Sequence, residues 1–399
     1  MDFILSKISD RVKQHKLLTA IYASNIFLSF HYYLIIYVNS SFLSQFFTDT
    51  QVSTLYIIGS FINLVFLLHI SKLLNKIGNY KIITYAIITE LLAATGLALT
   101  ETPFLVGFYF LIHLIITPMI LFSLDVFLES ESIDETKTGG IRGIYLTLAN
   151  ITLFIAPSIV GLILINSQYH RVYGVSVLFL IPLFLLIRTY FKNYTDAPIT
   201  HIKIRETIST YLTTPNLSNV FITHLALQLF YAFMIIYTPV YLSKYIGFSW
   251  SQIGVMFTIM LLPFALFELP IGRLADRKYG EREILTVGFI IMGLSTLLIS
   301  FITVKSFILW TILLFITRTG ASFVEITSDS FFFKQVNTSQ TDEIAIYRIT
   351  RPLAFILAPL LATLLFQFLP YQYLFLLIGS ISILAIHWSL SLKKIEKLV

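Results

Sequence analysis

Three ionisable side chains sit inside a run that otherwise suits lipid: Arg318, Glu325 and Asp329 in TRTGASFVEITSDSFFF, residues 317–333. A charge at the bilayer centre costs about 2.5–3.5 kcal/mol on insertion scales, so it normally faces protein or a wet cavity. A sheltered carboxylate can carry a proton, and a guanidinium can pair with a carboxylate or grip an anionic ligand. At 100° per residue, spacings of seven and four bring the three to one helix face, with Ser322 filling the row. Asp125 and Glu129 stand about 200 residues earlier, opposite Glu325 and Asp329, and Pro118 stands opposite Arg318.

Other polar residues interrupt apolar runs in the same way. Glu268 and Glu90 are candidate proton sites, together with Glu325. His31, His113, Gln228, Tyr231 and Asn25 are, with Arg318, candidate solute contacts. Imidazole titrates near neutrality, so His31 could bind solute or relay protons. Arg142 follows Asp125 and Glu129, while Arg348 and Arg351 follow Glu325 and Asp329. These sets are expected to pair at the cytoplasmic ends of helices, forming in one conformation and breaking in another.

Other chemistry is not written in the chain. It has no cysteine, no H-E-x-x-H pattern and no G-x-x-x-x-G-K-[ST] loop. No metal site, ATP-driven motor or cofactor is therefore expected, and no enzymatic activity or nucleic-acid partner. The KTGG of residues 137–140 is a chance fragment.

The elements that must hold these residues follow from composition. The 399 residues are 57% hydrophobic and 12% charged, about half the charge of a soluble domain. Twelve apolar runs are long enough to cross a bilayer as helices. They lie near 17–38, 52–71, 81–100, 104–128, 141–166, 171–191, 217–243, 250–271, 283–303, 306–333, 344–369 and 371–391. Barrel strands would alternate in polarity over about ten residues, which these runs do not. The basic first sixteen residues read as an interfacial lead-in, not a cleaved signal. Lys and Arg concentrate in the tails, the 2–3 and 8–9 turns and the middle linker, whereas the alternate loops hold only Arg171, Lys244 and Lys305. Basic residues collect on the cytoplasmic side. Both termini are expected there, in a multi-pass protein of the cytoplasmic membrane.

A polar stretch, residues 192–216, divides two sets of six spans, 1–191 and 217–399. It reads as a linker with an amphipathic helix on the membrane surface. The halves align at an offset near 200: FTDTQVSTLY (47–56) on FSWSQIGVMF (248–257), SKLLNKIGNYKII (71–83) on GRLADRKYGEREIL (272–285), YLTLANITLFIAPSIVG (145–161) on YRITRPLAFILAPLLAT (347–363). His31 and Tyr231 are equivalent. Because six is even, the copies run parallel through the membrane, and two similar halves offer two similar end states.

GRLADRKYGER (272–282) resembles the G-x-L-A-D-R-x-G-R signature of the major facilitator superfamily, with one inserted residue. The first-half copy is decayed, with Ser71 for Gly and Asn75 for Asp. Ala156, Pro157 and Gly161 resemble a degraded antiporter motif of that family. The resemblance implies an all-α membrane protein whose twelve transmembrane helices form two parallel six-helix pseudo-repeats, with spans 1, 4, 7 and 10 lining the cavity. It implies a cytoplasmic latch at Gly272, Asp276, Arg277, Gly280 and Arg282, in which Gly272 lets span 8 approach a neighbour closely. Span 3, which carries Glu90, is usually peripheral in that family.

Together these readings point to a monomeric secondary transporter that moves a small solute by alternating access, with protons and the lipid bilayer as partners. The buried carboxylates suggest proton coupling, and the Ala-Pro motif suggests efflux, antiporter-like. Uptake of an anionic nutrient or metabolite centred on Arg318 is the first alternative. A non-transporting sensor or a lipid-moving protein of the same fold is the second. Abundant Ile, Lys, Phe, Tyr and Asn suggest an AT-rich bacterial genome.

Overall fold

A computed structural model describes all residues except 1, 132–134, 165–167, 193, 195–203, 337–340 and 394–399. Side chains of residues 2–14, 71, 131, 135–140, 269, 276 and 341 also lie outside the described set, as does much of the expected linker. Among the described residues there are twelve long helices and no strand. They are α1 (Asp2–Ile35), α2 (Asp49–Ile77), α3 (Asn79–Leu99), α4 (Pro103–Glu131), α5 (Glu135–Ile163), α6 (Tyr169–Tyr190), α7 (Pro215–Ile236), α8 (Trp250–Leu274), α9 (Glu281–Ile299), α10 (Phe307–Gln335), α11 (Thr341–Phe366) and α12 (Tyr373–Leu390). Eleven are long and apolar enough to cross a bilayer. The twelfth, α1, joins the basic lead-in to the expected first span without a break. A separate helix, Ile204–Thr213, lies in the linker and buries Thr207 and Tyr211.

The elements start and stop where local chemistry demands. Thr48 and Gln51 cap α2 reciprocally, backbone N–H to side-chain oxygen at 3.0 and 3.3 Å. Ser249 and Gln252 do the same for α8, at 3.1 and 3.3 Å. Both are capping boxes, at equivalent points of the two copies. Gly78 (φ 83°) ends α2 and Gly280 (φ 92°) precedes α9. Only glycine adopts that conformation without steric cost.

The residue inserted into the second signature has a structural home. Gly280 N–H bonds back five residues to the Ala275 carbonyl at 3.0 Å, whereas Gly78 N–H bonds back four, to Leu74, at 2.9 Å. The extra residue is absorbed as one π-helical turn, Ala275–Tyr279, a device common at functional sites.

The chain divides into two compact units: residues 1–38 with 65–201, and residues 39–64 with 202–399. The first half of α2 thus groups with the second unit. In the first unit Ile21, Leu28, Ile87, Ile120, Phe127, Leu180 and Ile187 join one core. In the second, α7 is the most enclosed span. Large apolar side chains such as Leu99, Phe104, Leu162 and Leu178 point outward, as lipid-facing positions do.

Candidate functional site

In the second unit, α9 and α10 cross so closely that a Cβ on Gly288 would lie 2.9 Å from the Gly320 carbonyl oxygen. That contact fixes the rotation of α10 and turns Arg318 toward α7. Arg318 is 2% exposed. Its guanidinium carbon lies 5.1 Å from the Phe230 ring centroid and 5.3 Å from that of Tyr231. Ring quadrupoles stabilise a desolvated cation in this arrangement. Its Nε and Nη2 are sealed from solvent and have no hydrogen-bond partner.

Tyr231 also serves Glu325, donating its hydroxyl to Oε2 at 2.7 Å. One residue thus touches the cation with its ring and the carboxylate with its hydroxyl. A turn along α10, Asp329 Oδ1 accepts from the Tyr347 hydroxyl at 2.9 Å. Glu268 of α8 is within electrostatic reach of Glu325 and Asp329. Arg351 and Arg318 act on Glu325, and Arg348 acts on Asp329. The structure therefore gathers Arg318, Tyr231, Glu325, Asp329, Glu268, Arg348 and Arg351 in one region. The direct bonds of the two carboxylates are to tyrosines.

His224 belongs to this region as a neutral ring. Thr350 donates its hydroxyl to the Tyr347 carbonyl at 2.7 Å, so its oxygen accepts from His224 Nδ1, also 2.7 Å away. The other nitrogen, Nε2, then accepts from Gln228 Nε2 at 3.2 Å. Its 3.9 Å approach to Asp329 Oδ1 is therefore no ion pair. Gln228, expected to contact solute, is engaged in holding this ring.

In the first unit three buried residues converge from three helices. His31 Nε2 of α1 and His113 Nδ1 of α4 lie 3.0 and 2.6 Å from the same oxygen, Oε1 of Glu90 on α3. Glu90 is fully buried at their meeting point. These are the residues, among those described, whose ligand atoms come close enough together to consider a metal ion, all within 4.8 Å. The 2.6 Å contact argues against one: ligands about 2.0 Å from a tetrahedral zinc-class ion stand roughly 3.3 Å apart. Asn25 is committed elsewhere, its amide donating to the Tyr145 carbonyl of α5 at 2.7 Å.

Toward the end of α4, Arg142 reaches Asp125 at 3.7 Å and Glu129 at 3.4 Å, the pairing expected from their order in the chain. In the second signature Arg282 binds Glu283 at 2.9 Å, and Arg277 is exposed. Gly272 departs from its expected role: a Cβ there would meet only Ile326 Cγ1, at an ordinary 3.5 Å. Helix proximity does not require that glycine, whereas Gly280 is required by its φ.

Sequence reasoning missed two features. The His31–Glu90–His113 convergence had only the weak signal of lone ionisable residues in apolar runs. A tyrosine cluster is the other. Tyr371 stacks on Tyr245 at 4.6 Å and donates to the Tyr237 carbonyl at 3.1 Å. Ser53 lies 2.8 Å from the Tyr237 hydroxyl, and Tyr245 donates to Asp49 at 3.3 Å. The four-residue spacing of Tyr237, Tyr241 and Tyr245 was the available signal.

Comparison with known proteins places this geometry. Residues 220–397 match the family model of the Major Facilitator Superfamily. No curated protein matches the sequence. A crystal structure of an auto inhibited POT family peptide transporter is similar with a TM-score of 0.73 at 13% identity, covering 96% of this chain and 98% of that one. A crystal structure of the nucleoside transporter NupG is similar with a TM-score of 0.72 at 13% identity, covering 94% and 98%. The C-terminal half thus matches the Major Facilitator Superfamily in sequence, and the fold is shared with these two transporter structures over nearly the whole length of the chain.

Proposed function

We propose that the protein is a secondary transporter for a small solute with an anionic group, driven by a proton gradient. The observation that carries the substrate class is Arg318. A buried charged donor left unsatisfied costs more than a made bond returns, so a sealed guanidinium with two unpartnered nitrogens is suited to a carboxylate or phosphate. Phe230 and Tyr231 would flank the bound group. This favours the anionic alternative over export of a cationic amphipath. The direction we propose is efflux, and its support is the Ala156–Pro157 pair alone.

The carboxylates Glu325, Glu268 and Glu90 are the proposed proton carriers. Arg142 with Asp125 and Glu129, Asp329 with Arg348 and Arg351, and the second signature are the proposed cytoplasmic gate. The distribution of Lys and Arg supports a cytoplasmic-membrane protein with both termini inside. We take it to act as a monomer.

The test is flux in proteoliposomes under an imposed pH gradient, with a radiolabelled panel of small carboxylates and phosphates and a parallel panel of cations. Gradient-dependent movement of at least one anion, absent in Arg318→Gln, is expected. Movement of cations alone, unaffected by that change, would refute the anionic reading.

A further inference from the structure

The first unit contains a polar group that the solute chemistry above does not use. His31 Nδ1 faces the Ser176 carbonyl oxygen on α6 at 3.3 Å. A carbonyl only accepts, so Nδ1 carries a hydrogen. That fixes the ring's tautomer and, in a neutral ring, leaves Nε2 a bare lone pair. This lone pair faces Glu90 Oε1 at 3.0 Å. Two lone pairs at that distance repel, so a proton must lie between them.

The same oxygen meets His113 Nδ1 at 2.6 Å. That contact needs its own hydrogen, which a neutral imidazole supplies. The Thr117 hydroxyl lies 3.1 Å from the same nitrogen. Counting gives a definite result. Two neutral imidazoles and one carboxylate supply two ring hydrogens, spent on Ser176 and on the His113–Glu90 contact. The His31–Glu90 contact requires one proton more. The count holds whichever partner carries that proton.

Charge leads to the same number. Without the extra proton the trio carries one negative charge. The groups acting on Glu90 are His31 and His113, and α6 presents a carbonyl. All three side chains are sealed from solvent. A lone charge buried in this way is strongly disfavoured. One proton makes the trio neutral.

We propose that His31, Glu90 and His113 form an occluded proton-binding site within the first unit, holding one exchangeable proton between His31 Nε2 and Glu90 Oε1. The proton enters or leaves when α1 and α3 part enough to admit water. In that step the bond to one partner breaks and water accepts or supplies the proton. Nothing is oxidised or reduced. The role in transport rests on the proton coupling proposed above, but the bound proton itself does not.

The probe is the proton, read without any solute. Full-length protein labelled with 15N-histidine is measured at pH 7 by solid-state NMR, with infrared difference spectra of wild type against Glu90→Gln. Expected is either a doubly protonated His31 ring, assigned by its absence in His31→Gln, or a protonated-carboxyl band lost in Glu90→Gln. His113→Asn retains the His31–Glu90 contact and is expected to keep the proton, which covers the case in which Glu90→Gln does not fold. A neutral His31 together with an ionised Glu90 overturns the proposal. So does stoichiometric zinc in purified protein that is lost on His31→Gln. If the proton is found but no pH gradient drives any solute, the coupling reading falls and the site stands.

Discussion

The two halves of the sequence share their backbone devices and differ in their buried polar residues. Each opens its second span with a reciprocal cap, Thr48/Gln51 and Ser249/Gln252. Each passes into its third span through a glycine at positive φ, Gly78 and Gly280. The next residue then ties the third span to the fourth. Asn79 donates to the Ser123 carbonyl at 2.8 Å, and Glu281 binds Ser330 and Lys334. At the equivalent pair His31 and Tyr231 the likeness ends. His31 joins a carboxylate and a second imidazole, whereas Tyr231 joins a carboxylate and a guanidinium. Capping and turn geometry follow from the backbone and persist in both copies. The buried polar residues follow from what each unit binds. On our reading the first unit holds a proton at Glu90, and the second holds the anion at Arg318 beside the proton carriers Glu325 and Glu268.

The largest expected effect breaks the comparison at Arg318. Arg318→Gln removes a charge-assisted contact of about 3 kcal/mol, roughly 100-fold in affinity for an anionic solute. Arg318→Lys keeps the charge but loses the planar fork and should recover only part of it. Binding to purified protein measures both.

The helix crossing that orients Arg318 comes next. Gly320→Ala places a methyl against the α9 backbone and is expected to cost about 1–3 kcal/mol. Gly143, in α5, has nothing within 4 Å of its would-be Cβ, so Gly143→Ala should be neutral or stabilise by about 0.5–1 kcal/mol. Thermal unfolding in one detergent would compare the pair, and equal losses would undo the packing argument.

Caps sharpen the likeness of the copies. Thr48→Ala and Ser249→Ala should each cost about 1 kcal/mol, with near-equal shifts in melting temperature. The smallest effect is expected at Arg142. Its pairs are part-exposed and stand at 3.4–3.7 Å, so Arg142→Ala should change stability by about 0–1 kcal/mol. A clear change in transport rate alongside unchanged melting would support its place in the gate.

The spans were legible because lipid demands long apolar runs, and the repeat because caps, glycines and prolines recur at one offset. The facing of Arg318 toward Tyr231 was partly legible: both lay on helices expected to line a cavity, at cavity-type positions. The His31–Glu90–His113 convergence was not. Its members are 59 and 23 residues apart, and only the packing of α1, α3 and α4 unites them. Nor could spacing show that Asn25 and Gln228 are engaged by neighbours, because a hydrogen-bond partner on another helix has no sequence signature. Gly272 misled for the opposite reason. A motif glycine suggests a close approach, but the positive φ that demands glycine falls at Gly280.

The account's central claim is that the solute is held at Arg318 in the second unit, while a proton held at Glu90 in the first unit is needed to drive it. It is tested by comparing two assays on reconstituted Glu90→Gln and Arg318→Gln protein, using a radiolabelled carboxylate or phosphate that wild type accumulates. One assay measures gradient-driven accumulation; the other measures solute exchange with no gradient. We expect Glu90→Gln to lose accumulation yet retain exchange within about threefold, and Arg318→Gln to lose both. Loss of both activities in Glu90→Gln protein that still binds the solute, or of neither, would contradict the division.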